Sequence, residues 1–154
     1  MLAFAFTLLS CNGQTTSKED VVFPVTKTEV EWKAELSEIE YYVLREAGTE
    51  RPFTSPLDKN YSAGTYVCAA CQTPLFKSEN KFDSRSGWPS FDKAIEGNVA
   101  YDVDYNIGVA RTEEHCATCG GHLGHVFDDG PRDTTGKRHC INGAALDFIP
   151  AKGE

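Results

Sequence analysis

Gly64-Thr65-Tyr66-Val67-Cys68-Ala69-Ala70-Cys71 reads as a strand that runs into a CxxC pair. A second pair, Cys116-Ala117-Thr118-Cys119, lies beyond the 44 residues that follow Cys71. Two residues between thiols let both sulfurs approach one tetrahedral ion, and two such pairs complete four ligands. The spacing points to one structural Zn2+ per chain on Cys68, Cys71, Cys116 and Cys119, with no coordination position left for catalysis. Two disulfides or an iron centre are the alternatives these residues allow. His122, three residues after Cys119, offers a Cys3His variant; four thiols in matched pairs are the preferred set. The separation exceeds that of a short zinc ribbon, so the ion is expected to clip two distant segments of one larger fold.

Around this clip the chain is that of one domain with a short extension. It has 154 residues and a net charge of −8. A chain of this size buries about two-thirds of its unfolded surface and needs no staples for a core. The negative balance excludes non-specific nucleic-acid binding, which needs a basic face. Thirteen glycines, seven prolines, nine phenylalanines, six tyrosines and two tryptophans favour short strands, turns and irregular loops over long helices.

The domain is bounded as 28–150, preceded by a segment and linker over 1–27 and followed by a tail at 151–154. Met1 to Ser10 is apolar and ends at Cys11, too short for a spanning helix. It resembles the apolar part of a signal peptide. Leu8-Leu9-Ser10-Cys11 further resembles a bacterial lipobox, although no Lys or Arg precedes the apolar run. The expectation is an exported lipoprotein on the periplasmic or envelope face with a lipid anchor at Cys11; the alternatives are an ordinary N-terminus and a cytoplasmic protein. Asn12 to Asp20 reads as a polar tether.

Thr28-Glu29-Val30-Glu31 and Ser37-Glu38-Ile39-Glu40 each place an acid three residues after a hydroxyl cap. Two short helices are expected, with Val30, Ala34, Trp32 and Leu36 on the apolar side of the first and Ile39, Tyr42 and Val43 on the second, ending near Ala47 ahead of Gly48. Val99, Tyr101, Val103 and Tyr105 alternate and suggest one or two strands over 99–111. His122 and His125 fall in a stretch rich in glycine, read as a loop in which backbone can approach a ligand.

Cys140 has no nearby CxxC partner. In Arg138-His139-Cys140-Ile141-Asn142, a strand would put Arg138, Cys140 and Asn142 on one face. A cation beside a thiol favours the thiolate, and Asn142 supplies a neutral donor. Taken alone, the stretch is equally a nucleophile site or a buried free cysteine. Trp88, ahead of Pro89, is equally a pocket wall or core.

Read together, these segments resemble the B-type methionine sulfoxide reductases, which reduce the R epimer of methionine sulfoxide. The resemblance rests on Gly48-Thr49-Glu50-Arg51-Pro52-Phe53, on the first CxxC strand quoted above, and on Ser86-Gly87-Trp88-Pro89-Ser90-Phe91. It continues through Cys116-Ala117-Thr118-Cys119-Gly120, His122-Leu123-Gly124-His125-Val126-Phe127 and Arg138-His139-Cys140-Ile141-Asn142, in the family's order, over about Thr28 to Pro150. It implies a mainly β fold of two antiparallel sheets with short N-terminal helices, and a structural zinc remote from the active site. It also implies that Cys140 attacks the sulfoxide sulfur and becomes a sulfenic acid, with Arg138 supporting the thiolate. His122, His125 and Asn142 would orient or protonate the oxygen, and Trp88 would pack on the substrate methyl, with Phe127 also binding substrate. One departure stands out: many family members carry a resolving cysteine where this chain has Ser86. Cys11 is the other candidate resolving thiol, and once lipidated it would be a thioether that cannot resolve anything. Direct reduction by thioredoxin or a thioredoxin-like thiol is therefore expected, with oxidised proteins as substrates and a monomer as the working unit.

Two other readings compete. One is a zinc-clipped β binding module without chemistry, which has no need of a reactive thiol beside Arg138. The other is a disulfide-exchange protein, disfavoured because neither CxxC has the usual strand-to-helix context.

Overall fold

The computed structural model describes residues 22–152, so the lipobox-like stretch and Cys11 lie outside the described residues. Two helices come first, α1 (Glu29–Glu35) and α2 (Glu38–Glu46). Each opens on a complete capping box, Thr28 with Glu31 and Ser37 with Glu40, as the sequence predicts. Their apolar faces differ from the expected ones. Val30 is 77% exposed and Ala34 is exposed, while Trp32 is the buried anchor of α1; on α2, Val43 and Leu44 are buried and Ile39 and Tyr42 are not. A helix of two turns rests on one or two residues, too few for periodicity to locate its buried side. The left-handed residue that ends α2 is Ala47 (φ 53°), not Gly48. Gly48 has another reason to be glycine: a Cβ there would lie 2.3 Å from the Tyr42 ring.

The remainder is β. A three-stranded sheet has the order β2 (Pro74–Lys77), β1 (Gly64–Cys68), β9 (Leu146–Pro150). A six-stranded sheet runs β3 (Lys81–Phe82), β4 (Ser90–Phe91), β8 (Arg138–Ile141), β7 (His122–Phe127), β6 (Arg111–Cys116), β5 (Val99–Asp104). Every pairing is antiparallel, so the expected class, mainly β with two antiparallel sheets, is the observed one. The sheets are joined through aromatics. Phe76 of β2 stacks on Phe91 of β4 at 4.4 Å, and Tyr66 of β1 meets Phe91 edge-on at 4.9 Å. All three are fully buried, which makes them the centre of the hydrophobic contribution.

Two sequence expectations are corrected here. The stretch that holds His122 and His125 is strand β7, not a loop. Its glycine permits strand pairing: a Cβ on Gly124 would lie 2.0 Å from the Cys140 carbonyl oxygen of β8. The alternation from Val99 does mark β5, but only Val99 is buried; Tyr101, Val103 and Tyr105 are exposed, because β5 is the outer strand of its sheet. Among the described residues no helix is long and apolar enough to cross a membrane.

Candidate active site and thiol cluster

The four CxxC thiols converge. Their sulfurs all lie within 4.8 Å of one another, with Cys68 to Cys119 at 3.7 Å and Cys71 to Cys116 at 3.5 Å. Those separations are far longer than a disulfide bond of about 2.05 Å, and the thiols are free. The two pairs fold alike. Gln72 donates its backbone N–H to the Cys68 carbonyl and Gly120 donates to that of Cys116, each 2.8 Å, and both residues are left-handed (φ 60° and 70°). These turns curl the two sulfurs of a pair towards one point. Cys68 ends β1 and Cys116 ends β6, so the cluster bridges the two sheets, as its spacing implied. Arg45 of α2 donates to the Cys119 carbonyl at 3.0 Å and lies over the Trp32 ring, tying both helices to it. His122 is not in the cluster: its Nδ1 lies 2.6 Å from Glu113 Oε1. The four thiols can hold one metal ion.

The fifth described cysteine is placed quite differently. Cys140 sits in β8 directly opposite His125 of β7 and Ser90 of β4. Arg138 and Cys140 share one face, while His139 and Ile141 are buried on the other. Cys140 lines a cleft of about 130 Å³ with Trp88, Phe127, His125, Asn142, Thr49, Arg111 and Gly124. A second cleft of about 230 Å³ adjoins it, sharing Thr49, Arg111 and His125 and adding His122, Glu113 and Asp104. Larger hollows of about 540 and 520 Å³ lie elsewhere on the domain, and neither is lined by a thiol.

The structure therefore brings Cys140, His125, Trp88, Phe127 and Asn142 to one cleft and seats His122 in the next. The rings of His122 and His125 stand 5.5 Å apart, edge to face. Arg138 lies beside the thiol but is not free. It makes a two-point pair with Asp129 at 2.8 and 3.0 Å and covers the Phe127 ring at 4.4 Å. From there its charge and its hydrogen bond still act on the sulfur. The outcome corrects the expectation of an acidic thiol: burial pushes the Cys140 thiol up, and Ser86, Arg138 and Ser90 pull against it without winning. Asn142 is held on both sides of its amide: Oδ1 accepts the Glu50 N–H at 3.0 Å and Nδ2 donates to the Leu123 carbonyl at 3.0 Å.

Several supporting groups left no sequence motif. His125 Nε2 lies 2.7 Å from Asp104 Oδ2, which also accepts from Arg111 at 2.5 Å. The Asn106 backbone N–H, His125 and Arg111 together hold Asp104 down to about 2. Burial lowers His125, with Asp104 working the other way. Ser86 Oγ lies 3.8 Å from Cys140 Sγ, and Ser84 bridges Ser86 and Ser90 at 2.7 Å each. On the far face of the sheet, buried His139 pairs with Glu114 at 2.5 Å. The pattern of charges in β5 and β6 could have signalled Asp104, Glu113 and Glu114 only once the register between those strands was known.

The chain is similar to known proteins over most of its length. The family model described as SelR domain matches residues 36–150. The chain is 54% identical over 140 residues to a protein of Bradyrhizobium diazoefficiens named peptide methionine sulfoxide reductase MsrB, covering 90% of this chain and 98% of that one. Proteins of the same name from Alteromonas mediterranea and Leptospira interrogans are 54% and 52% identical over 127 residues. Each alignment covers 82% of this chain, with 87% of the first protein and 96% of the second.

Proposed function

We propose, because the chain belongs to the SelR domain family, that it reduces methionine-R-sulfoxide to methionine with Cys140 as nucleophile. The observation that carries this reading is the placement of Cys140: the described thiol outside the four-cysteine cluster lies in a cleft walled by Trp88 and Phe127. The Cys140 sulfur attacks the sulfoxide sulfur. The sulfoxide oxygen ends on Cys140 as a sulfenic acid, and methionine leaves as the sulfide. The thiol supplies the electron pair, so no external reductant enters this step.

A sulfoxide oxygen transfers readily only as it gains a proton. His122, backed by Glu113, and His125, backed by Asp104, are the groups assigned to orient and protonate it, directly or through water, with Asn142 as a fixed donor. Trp88 and Phe127 take the substrate methyl, and the apolar wall selects the epimer. Arg138 steadies the developing thiolate from beside it.

The sulfenic acid must then be reduced. Two external thiols do this, leaving as a disulfide and releasing water. The hydroxyl of Ser86 stands at the position where many family members carry a resolving thiol, 3.8 Å from the Cys140 sulfur, and cannot form a disulfide. Thioredoxin or a thioredoxin-like thiol is the reductant assigned here, oxidised proteins the substrates, and a monomer the working unit.

Zinc is the ion assigned to Cys68, Cys71, Cys116 and Cys119. Tetrahedral Zn–S bonds of about 2.3 Å require sulfurs about 3.8 Å apart, close to the 3.5 and 3.7 Å separations. Bound there, the ion supplies structural cross-linking and no open coordination position. Export with a lipid anchor at Cys11 is carried by Leu8-Leu9-Ser10-Cys11 alone and is tested by radiolabelled fatty-acid incorporation in cells.

The reductase reading is tested with separated R and S epimers of a blocked methionine sulfoxide and dithiothreitol. Consumption of the R epimer alone, absent in Cys140→Ser, is the expected result. Turnover of neither epimer by a folded, metal-loaded chain would return the protein to a binding module.

A further inference from the structure

Glu50 makes four hydrogen bonds to the frame of the site. Its backbone N–H donates to Asn142 Oδ1 at 3.0 Å. Its backbone carbonyl accepts the Trp88 indole N–H at 3.2 Å. Its carboxylate reaches the turn just after Cys140, where Oε1 accepts the Gly143 N–H at 2.5 Å and Oε2 accepts the Ala144 N–H at 2.9 Å. The residue is 94% buried, and no cation pairs with it among the described residues. An ionised carboxylate in such a place is costly unless its oxygens are satisfied, and here they are satisfied by backbone alone. Gly143 fits the same junction tightly: a Cβ there would lie 2.0 Å from Ser55 Oγ and 3.2 Å from Glu50 Oε1.

We propose that Glu50 is a positioning residue for the reduction, holding Trp88, Asn142 and the backbone that leaves Cys140 in one frame. It touches neither substrate nor the reacting sulfur. Its backbone sets the apolar wall and the neutral donor, and its carboxylate locks the turn Gly143–Ala145 against the segment of Glu50 itself. The proposal rests on the reductase reading of the cleft. Misplacing a wall or donor by an ångström suffices for a large loss of rate.

The test compares wild type with Glu50→Gln and Glu50→Asp, each loaded with metal. A glutamine keeps one acceptor for the turn but turns an N–H donor towards the other backbone donor. An aspartate keeps both acceptors on a shorter stem. In Glu50→Gln, kcat for the R epimer is expected to fall about tenfold or more with KM changed less than about threefold. The 19F resonance of 5-fluorotryptophan at Trp88 shifts, while metal content and the rate of Cys140 alkylation by iodoacetamide stay near wild type. Glu50→Asp lies between the two in both readouts. Wild-type kcat and an unmoved Trp88 resonance in Glu50→Gln would overturn the assignment. So would loss of fold and metal in both variants, which would make Glu50 a stability residue only. Failure of the wild type itself to turn over either epimer would instead overturn the reductase reading.

Discussion

Cys140 holds its proton more tightly than an ordinary thiol because its burial outweighs the help it receives from Arg138, Ser86 and Ser90. The midpoint of its alkylation rate against pH is therefore expected above the ordinary thiol value of 9.0, and higher still in Arg138→Met. A midpoint below that value in the resting protein would show that the Arg138 charge outweighs burial at the sulfur. Asp104 gives a second prediction of known sign. Its carboxyl lies near 2 in the folded protein against 3.8 ordinarily, so the unfolded chain binds the extra proton between those values. The stabilisation Asp104 contributes is present above about 3.8 and is lost as pH falls towards about 2. Asp104→Asn should flatten the acid limb of melting temperature against pH; an unchanged limb would contradict the three-way hold on Asp104. At this scale the sequence was legible where chemistry is carried by rare residue types. Cys140, His125 and Trp88 announced themselves and the structure seats them in one cleft, with His122 in the next and the CxxC thiols in a cluster of their own. Asp104, Glu113 and Glu50 did not, because acidic residues are common and only the fold shows which of them face a histidine or a backbone amide.

At the scale of elements, the helix starts were legible because a capping box is a local device: hydroxyl and acid three residues apart satisfy each other's backbone. Thr28→Ala and Ser37→Ala should each cost about 1 kcal/mol, seen as a melting temperature lower by roughly 2–4 °C. The buried sides of those helices were not legible, since burial is decided by what they pack on. The same is true of β7, which reads as a loop from Gly124 and the two glycines just before it. Gly124 is there for a close approach between strands, information that belongs to β8. Gly124→Ala should force β7 and β8 apart beside Cys140, destabilise the domain by about 1–3 kcal/mol or more, and remove turnover. A variant with wild-type stability and rate would mean that the two strands can separate without moving the thiol.

At the scale of the whole molecule, the duplicated CxxC was the most legible feature, because its spacing is a ligand geometry and not a propensity. It ties the end of β1 to the end of β6, so the cluster closes one sheet onto the other at the edge of a shared aromatic core. If the ion is held a hundredfold above its dissociation constant, its removal costs about 2.7 kcal/mol, a fall of roughly 5–10 °C in melting temperature. Chelation in a thermal melt should show that fall, with recovery on adding Zn2+; no change would mean the thiols clip the sheets without metal. The central claim is that Cys140 alone takes the oxygen and that Ser86 leaves it there. The most direct measurement is a single turnover: reduced protein and excess R epimer, no reductant, then methionine yield and intact mass. One methionine per chain, with one added oxygen on the peptide that holds Cys140, is predicted. More than one methionine, or a chain two mass units lighter through a disulfide to Cys140, would contradict it.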